Sequence, residues 1–197
     1  MTNKKPSPTR PIKIGFDFDG VIMYNPLRIF RSIANSIISR NHSKKSDPRF
    51  FIPKTKLEKF IWWLIHQSSL YPANGISSIR KLVEDGVIEA YLITGRPTCL
   101  KEDFYFKLKM YKLLNIFKTV HITDNNEQSH TFKQTEINKL GLDYFIEDNL
   151  DIVSYPRKVY KGQNTKILWI TNIIDRRTSA INGHLDVGQA VKHLIKS

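Results

Sequence analysis

The sequence predicts an α/β protein built on a parallel five-stranded sheet, and two observations support that fold class. Five short apolar runs have the length and β-branched content of strands, and helical patterns lie between most of them. This alternation favours parallel strands that are covered on both faces and joined by right-handed crossovers. The predicted strands are Ile12–Phe16, Glu89–Thr94, Thr119–Thr123, Asp143–Glu147 and Thr165–Thr171.

Four helices complete the predicted core, and each occupies a stretch whose apolar residues recur at helical spacing. Ligands of such sheets bind at the carboxyl ends of the strands, so we expect functional side chains to follow the predicted strands. The predicted helices are Ile76–Glu84, Thr98–Phe117, Phe132–Leu140 and a last one near Val187–Ile195.

One stretch interrupts the alternation and divides the chain. Residues 24–71 separate the first strand from the rest of the sheet and contain two helical patterns, Leu27–Ser39 and Leu57–Ile65. We interpret this stretch as a helical insertion into a core formed by residues 12–23 and 72–197. Residues 1–11 hold basic side chains among Pro, Ser and Thr with no apolar run, which predicts a flexible basic tail and not a signal peptide.

The charge of the chain predicts an anionic partner. Lys and Arg number 31 against 18 acidic residues, a net charge of +13. The insertion holds nine basic and two acidic side chains, so its net charge is +7. Such a field attracts small anions and nucleic acid alike. The single cysteine excludes an internal disulfide framework, and the most apolar run, Phe60–Ile65, is too short to span a bilayer. We expect a cytoplasmic protein without a membrane partner.

Two aspartates follow the first predicted strand, in the run Gly15-Phe16-Asp17-Phe18-Asp19-Gly20-Val21. Where an apolar strand gives way to glycine, the backbone can turn and bring both carboxylates to one site. Such a pair suits metal binding, with one carboxylate kept ionised and the other able to carry a proton. A calcium loop shares the pattern but needs a glutamate at its twelfth position, where this chain has Arg28.

Polar features also follow the second strand and open the third helix. Thr94 and Gly95 offer a hydroxyl and backbone N–H groups near a predicted helix start, which suits a phosphate, although a plain helix cap explains Thr94 equally well. Thr131 and Gln134 resemble a capping box, which places Lys133 in the first turn of its helix, near the carboxyl edge of the strands. Lys133 is therefore the cation expected to meet a substrate anion.

The fourth predicted strand ends in an acidic cluster of Glu147, Asp148 and Asp151. Three acids at the end of a buried strand are an unfavourable arrangement unless a cation is present. Magnesium favours one or two protein carboxylates, with water and phosphate oxygens completing its shell. The cluster therefore predicts a Mg²⁺ site.

These motifs together resemble those of the haloacid dehalogenase (HAD) superfamily over roughly residues 12–171. The resemblance implies a Rossmann-like three-layer HAD core with a parallel five-stranded sheet and a small helical cap of the C1 type at residues 24–71. It also implies Mg²⁺ as cofactor and an aspartyl-phosphate intermediate. The residues that carry it are, in order, Asp17-Phe18-Asp19-Gly20-Val21, Ile93-Thr94-Gly95, Lys133 and Glu147-Asp148.

The resemblance also implies a role for each motif. Asp17 would be the nucleophile, and Asp19 would protonate the leaving oxygen and then activate water. Many relatives carry two aspartates where this chain has Glu147 and Asp148, so Glu147 and Asp151 are alternatives for the second carboxylate that supports the metal. The phosphate-binding residues would be Thr94, Gly95 and Lys133. The metal-binding residues would be Asp17, Asp19 through its backbone carbonyl, and Asp148.

The position of the insertion and the run Phe145–Asn149 most resemble the 5'(3')-deoxyribonucleotidase branch and related nucleotidases. A nucleotide or a similar small phosphorylated metabolite is therefore the expected substrate. For Trp62 or Trp63 the alternative is a ring that packs on the core and does not contact substrate. Only one of the two can do so, because adjacent helical residues cannot both face inward. The insertion side chains predicted to contact the substrate, the aromatic ones by stacking on a base, are Tyr24, Arg28, Phe50, Phe51 and Trp63.

Two other functions are compatible with the sequence. The basic insertion and the stretch Arg157–Lys166 fit a phosphatase that acts on polynucleotide ends, whose activity would fall steeply as salt rises. A non-catalytic anion-binding protein on the same scaffold is the second alternative. It would be indicated by the loss of motif residues, and all of the motif residues are present in this chain.

Overall fold

The described part of the chain folds around a parallel β-sheet. The computed structural model describes residues 10–26, 50–124, 127–154, 164–171 and 183–196. Five strands form the sheet, and two strands of two residues each pair antiparallel beside it. All five predicted strands are present, with small differences at their ends. In chain order the strands are β1 (Ile12–Phe16), β2 (Met23–Tyr24), β3 (Tyr71–Pro72), β4 (Ile88–Thr94), β5 (Thr119–Ile122), β6 (Tyr144–Glu147) and β7 (Lys166–Trp169).

The strand order places β1 at the centre of the sheet and creates a switch point beside it. On one side of β1 lie β4 and then β5, and on the other side lie β6 and then β7, all parallel. Because the chain leaves β1 in one direction and later returns on the other side, a crevice opens between the carboxyl ends of β1 and β6. Open α/β sheets bind their ligands at such a point. The predicted α/β class with a five-stranded parallel sheet is confirmed.

Alternate residues of each strand point to opposite faces of the sheet, and apolar side chains lie on both faces. Helices cover both faces and bury these side chains. They are α1 (Lys56–His66), α2 (Ile76–Glu84), α3 (Lys101–Met110), α4 (Ser129–Leu140), α5 (Leu150–Ser154) and α6 (Val187–Lys196). Ile14 and Phe16 belong to a large core that also contains residues of α2, α3 and α6. Tyr91, Ile93 and Phe145 belong to a smaller core on the opposite face, together with residues of α4.

The predicted helix Thr98–Phe117 is wrong in its extent because the chain leaves α-helical geometry at both ends. The 3-10 turn Thr98–Leu100 precedes α3, and the 3-10 turn Leu114–Ile116 follows it. Between them Lys112 has a φ of 53°, in the left-handed region that ends α-helical hydrogen bonding. Leu113, just after the break, is still buried in the large core. The apolar spacing therefore continues through the break and conceals it.

The two ends of the predicted insertion are joined by the pairing of β2 with β3. Tyr24 lies opposite Tyr71, and their rings stack with centroids 5.1 Å apart. This pairing brings residues 24 and 71 together beside the sheet. The division of the chain into a core and an insertion at these positions stays a prediction.

One of the two predicted insertion helices is described. The prediction Leu57–Ile65 is confirmed as α1, which begins at a capping box formed by Thr55 and Glu58. The predicted helix Leu27–Ser39 lies outside the described residues. Within the described ranges, every helix is too short or too polar to cross a lipid bilayer.

Candidate active site

The carboxyl end of β1 carries Asp17 and Asp19, which are 6% and 7% exposed. Gly20 follows with a φ of 85°, and its N–H donates to the carbonyl of Met23 at 2.8 Å, which closes a tight turn. A Cβ on Gly20 would overlap the carboxylate of Asp148. Glycine at this position therefore lets the loop after β1 approach the loop after β6.

Lys133 extends from α4 into the crevice between β1 and β6. Its Nζ atom lies 2.8 Å from Asp17 Oδ1 and 2.7 Å from Glu147 Oε2, and the side chain is buried. Burial alone would lower the pKa of Lys133, but the charges of the two carboxylates outweigh burial and raise the pKa. Lys133 is thus a permanent positive charge between the two strands.

The helix that carries Lys133 begins earlier than predicted. It starts at Ser129, after an extended Gln128 whose side chain makes no capping hydrogen bond. The predicted capping box of Thr131 and Gln134 is wrong, because Thr131 already lies inside the helix. Lys133 consequently lies in the second turn and not in the first, and its long side chain spans the extra distance to the site.

Three carboxylates converge at the crevice, those of Asp17, Glu147 and Asp148. One oxygen atom of each lies within 4.8 Å of the other two. Glu147 is fully buried and also accepts hydrogen bonds from the backbone N–H groups of Asp148, at 3.2 Å, and Asn149, at 3.0 Å. Asp151, the alternative to Glu147 from the sequence, is exposed in α5. The structure therefore places Glu147 in the cluster.

The electrostatics of this cluster favour a cation. Burial is the main cause that raises the pKa of Asp17, and the charge of Asp148 adds to it, while Lys133 opposes it. Burial and the charge of Asp17 raise the pKa of Glu147 to about 8, again against the effect of Lys133. A bound cation would relieve both effects. Because the donors are carboxylate oxygens, and because Gly20 leaves room for the Asp148 carboxylate, the residues fit a hard divalent ion such as Mg²⁺.

The loop after β4 contacts the amino end of α4. Thr94 is buried at the end of β4, and its hydroxyl accepts a 3.4 Å hydrogen bond from the N–H of Arg96. A Cβ on Gly95 would overlap the side chain of Ser129, the first residue of α4. The segment after Pro97 begins with a 3-10 turn. The helix start in contact with Gly95 is therefore that of α4, and not that of the predicted helix Thr98–Phe117.

Arg96 is a site residue that sequence reasoning missed. Its buried guanidinium donates two hydrogen bonds to Asp19, from Nε to Oδ2 and from Nη2 to Oδ1, both 2.7 Å long, and a third to Asp103 at 2.9 Å. The Ser69 hydroxyl also donates to Asp19. Arg96 directly follows Thr94-Gly95, and no spacing rule pairs it with a carboxylate 77 positions away.

The same contacts set the charge of Asp19. Burial would raise the pKa of this carboxyl, but the charge and the hydrogen bonds of Arg96, with help from Ser69, outweigh burial and hold the pKa below its usual range. Asp17 and Asp19 therefore lie two residues apart with pKa values shifted in opposite directions. These shifts run opposite to the roles that the resemblance implies, an ionised nucleophile and a proton donor, and a cation beside Asp17 would lower the pKa of Asp17.

Among the predicted substrate contacts within the described residues, Phe50 is the one that contacts the start of α4. Its N–H donates to Gln128 Oε1 at 2.7 Å, and the Gln128 amide donates back to its carbonyl at 3.3 Å. Its ring centroid lies 5.8 Å from that of His130. These contacts place Phe50, near the middle of the predicted insertion, beside the first turn of α4, which begins four residues before Lys133.

The other predicted contacts are exposed or lie outside the described residues. Phe51 is 55% exposed with its ring near that of Trp62, and Trp63 is 41% exposed. Trp62 is half-buried, so it is the tryptophan of the pair that faces inward. Tyr24 stacks on its partner in β3 at the base of the insertion. Arg28 lies outside the described residues.

Comparison with known proteins gives matches of structure. No family model matches the chain, and no curated protein matches it. A Thermotoga maritima protein assigned as a beta-phosphoglucomutase is 16% identical with a TM-score of 0.56, over 94% of this chain and 99% of its own. A predicted phosphoglycolate phosphatase from Haemophilus somnus is 11% identical with a TM-score of 0.54, over 94% and 99%.

A third match is a Bacillus subtilis protein, YfnB, assigned as a HAD hydrolase and bound to magnesium. It is 11% identical with a TM-score of 0.53, over 96% of this chain and 100% of its own. At identities this low the comparison shows the fold alone. The chain has the α/β fold of the HAD-superfamily hydrolases.

Proposed function

We propose that this protein is a Mg²⁺-dependent phosphomonoester hydrolase that acts through an aspartyl-phosphate on Asp17. The observation that carries the proposal is the contact of Lys133 with both Asp17 and Glu147 at the switch point of the sheet. It joins a buried carboxylate nucleophile, a permanent cation and an acidic cluster that fits a divalent ion. The fold shared with HAD-superfamily hydrolases supports the reaction class.

The reaction would proceed in two halves. In the first, a carboxylate oxygen of Asp17 attacks phosphorus, the bond from phosphorus to the leaving oxygen breaks, and Asp19 gives that oxygen a proton. In the second, Asp19 takes a proton from a water molecule that attacks the same phosphorus. The bond to Asp17 then breaks and inorganic phosphate is released. Lys133 would offset the negative charge shared by the nucleophile and the phosphoryl group.

The metal-binding residues of the proposal are Asp17 and Asp148, with the backbone carbonyl of Asp19. Glu147 is the proposed supporting carboxylate, because it lies in the buried cluster and Asp151 is exposed. A bound Mg²⁺ supplies a Lewis acid that neutralises phosphate oxygens and holds them in place. Thr94 and Gly95 are proposed to bind the remaining phosphate oxygens.

A nucleoside monophosphate or a similar small phosphorylated metabolite is the proposed substrate. The two hydrogen bonds between the Phe50 backbone and the Gln128 side chain place an aromatic residue of the insertion near the amino end of α4. A ring at that position could stack on a base while the phosphate lies over Asp17. The net charge of +13 favours an anionic substrate in general.

The experiment that tests the proposal is phosphate release from a panel of phosphomonoesters, with and without Mg²⁺, by wild type and by Asp17→Asn. We expect turnover that requires Mg²⁺ and that falls by a factor on the order of 10³ or more in the variant, because an amide cannot act as the nucleophile. Asp85→Asn is the matched control, since Asp85 lies on the surface after α2. Equal turnover by wild type and Asp17→Asn would contradict the proposal.

A further inference from the structure

We infer that Arg96 is the positioning residue that orients Asp19 for protonation of the leaving group, an inference that rests on the proposed function. Three hydrogen bonds end on the Asp19 carboxylate, two from Arg96 and one from Ser69. The planar guanidinium donates to both oxygens of the carboxylate, so it fixes both the position and the plane of the Asp19 carboxylate. A lysine ammonium offers a point charge and could not set the plane.

Arg96 is itself held on its other edge. Its Nη1 donates to Asp103 on α3 at 2.9 Å, and its guanidinium carbon lies 4.8 Å from the centre of the Phe18 ring. Asp103 also accepts from the amide of Gln67 at 2.9 Å, and it lies 3.4 Å from the ammonium of Lys107. The guanidinium is therefore fixed from both sides and 2% exposed. A side chain held in this way can transmit a fixed orientation to Asp19.

The orientation of Asp19 matters most when the leaving group is a poor one. An alkoxide leaves only as it gains a proton, so cleavage of an alkyl phosphate needs a correctly aimed acid. The 4-nitrophenolate ion is stable without a proton, so 4-nitrophenyl phosphate needs that acid much less. The charge of Arg96 lowers the pKa of Asp19, so removing that charge favours the protonated acid. A loss that depends on the leaving group therefore reports the lost orientation of Asp19. A role confined to folding predicts equal losses on both substrates.

The test compares kcat/KM for an alkyl phosphate and for 4-nitrophenyl phosphate in wild type, Arg96→Met, Arg96→Lys and Ser69→Ala. We expect Arg96→Met to lose about 100-fold or more on the alkyl phosphate, the size of a general acid contribution, and about 10-fold or less on the aryl phosphate. Arg96→Lys and Ser69→Ala should show the same selectivity with smaller losses. Arg80→Met, which removes a surface arginine of α2 that donates to the carbonyl of Lys112, is the control and should lose nothing.

Losses of equal size on both substrates, or no loss, would overturn the role of Arg96 while leaving the proposed function intact. A wild-type protein inactive on both substrates would instead count against the proposed function. A crystal structure of Arg96→Lys tests the positioning role without turnover. We expect the Asp19 carboxylate to leave its wild-type place while Lys133 keeps its contact with Asp17. An Asp19 carboxylate that stays in place would overturn the inference.

Discussion

At the level of single residues, each of two buried cations contacts two carboxylates of opposite charge. Lys133 lies between Asp17 and Glu147, and Arg96 lies between Asp19 and Asp103. An ion taken out of water costs several kcal/mol unless close partners compensate it, so each cation stabilises the carboxylates beside it. Removing either cation leaves carboxylates that are buried without compensation.

Lys133→Met should destabilise the metal-free protein strongly, because it leaves the carboxylates beside it uncompensated. Breaking a buried ion pair from one side costs ~3–5 kcal/mol, and we expect a loss of that size in the free energy of unfolding. Lys139→Met is the matched control on the same helix, since its side chain is 68% exposed and should change stability by less than ~0.5 kcal/mol. Urea denaturation measures both, and a similar effect of the two variants would contradict the prediction.

Glu147 should make the stability of the metal-free protein fall as pH rises from 6 to 8. Its pKa is raised from 4.5 to about 8 in the folded state, so folding favours the protonated form. The stabilisation is complete below pH 4.5 and is lost as pH rises through about 8. Thermal unfolding of wild type and Glu147→Gln should show that the amide variant lacks this part of the pH dependence. Equal pH dependence in both proteins would refute the assignment.

Magnesium should stabilise the wild-type protein more at pH 8 than at pH 6, because Mg²⁺ binds the deprotonated cluster. The measurement is the shift in melting temperature on adding Mg²⁺ at each pH, with Asp148→Asn as the variant that removes a carboxylate charge from the cluster. We expect a larger shift at pH 8 in wild type and a reduced shift in the variant. A shift of the same size in both proteins would count against a metal at this cluster.

At the level of elements, the site is assembled from the ends of β1, β4 and β6 and from the amino end of α4. Parallel strands bring their carboxyl ends to one edge, and the switch point opens the crevice there. Gly95 lies so close to Ser129 that a Cβ at this position would overlap the Ser129 side chain. The distance between the loop after β4 and the start of α4 therefore depends on a position without a side chain.

Gly95→Ala should destabilise the protein by ~1–3 kcal/mol, the usual cost of extra volume in a packed place, and should weaken inhibition by inorganic phosphate. The reason is that the new Cβ would overlap the side chain of Ser129 and push α4 away from β4. Ser129→Gly removes most of that overlap, so the double variant should recover much of the stability. Denaturation of the two single variants and the double variant forms a mutant cycle. Strictly additive effects would show that the contact is not the cause.

For the whole molecule, the charge distribution decides between a small substrate and a polymer. The net charge is +13, and residues 24–71 carry +7 of it. Much of that stretch, and most of the basic stretch Arg157–Lys166, lies outside the described residues. Charge attracts any phosphate-bearing ligand, so charge alone does not separate a nucleotide from the end of a nucleic acid.

Salt separates the two substrate classes. We expect kcat/KM on a nucleoside monophosphate to fall only slightly between 50 and 200 mM salt, because few counterions are released when a small anion binds. A polymer that contacts several phosphates would lose affinity by a factor on the order of 10³ over the same range. The measurement is kcat/KM against salt for a mononucleotide and for an oligonucleotide with a terminal phosphate. A preferred oligonucleotide substrate with steep salt dependence would reverse our choice.

The strands and the positions where they end could be predicted from the sequence, because the relevant forces are local along the chain. Apolar runs that end in polar residues define β1, β4 and β6. Asp17 directly follows β1, and Thr94 and Glu147 are the last residues of β4 and β6. Parallel pairing then requires these strand ends to share one edge. The α/β class and the location of the candidate site followed from this reasoning.

Contacts between distant parts of the chain could not be predicted. Three features of the site depend on which elements pack together. They are the paired hydrogen bonds from Arg96 to Asp19, the contact of Lys133 with two carboxylates, and the presence of Glu147 instead of Asp151 in the cluster. The overlong helix Thr98–Phe117 has the same origin, because packing keeps Leu113 buried beyond the end of α3. The late start predicted for α4 has another cause, because its first turn is polar and the apolar spacing begins only at Phe132. Periodicity records which side chains are buried, whereas the pairing of charges depends on distances that exist only after the elements have packed.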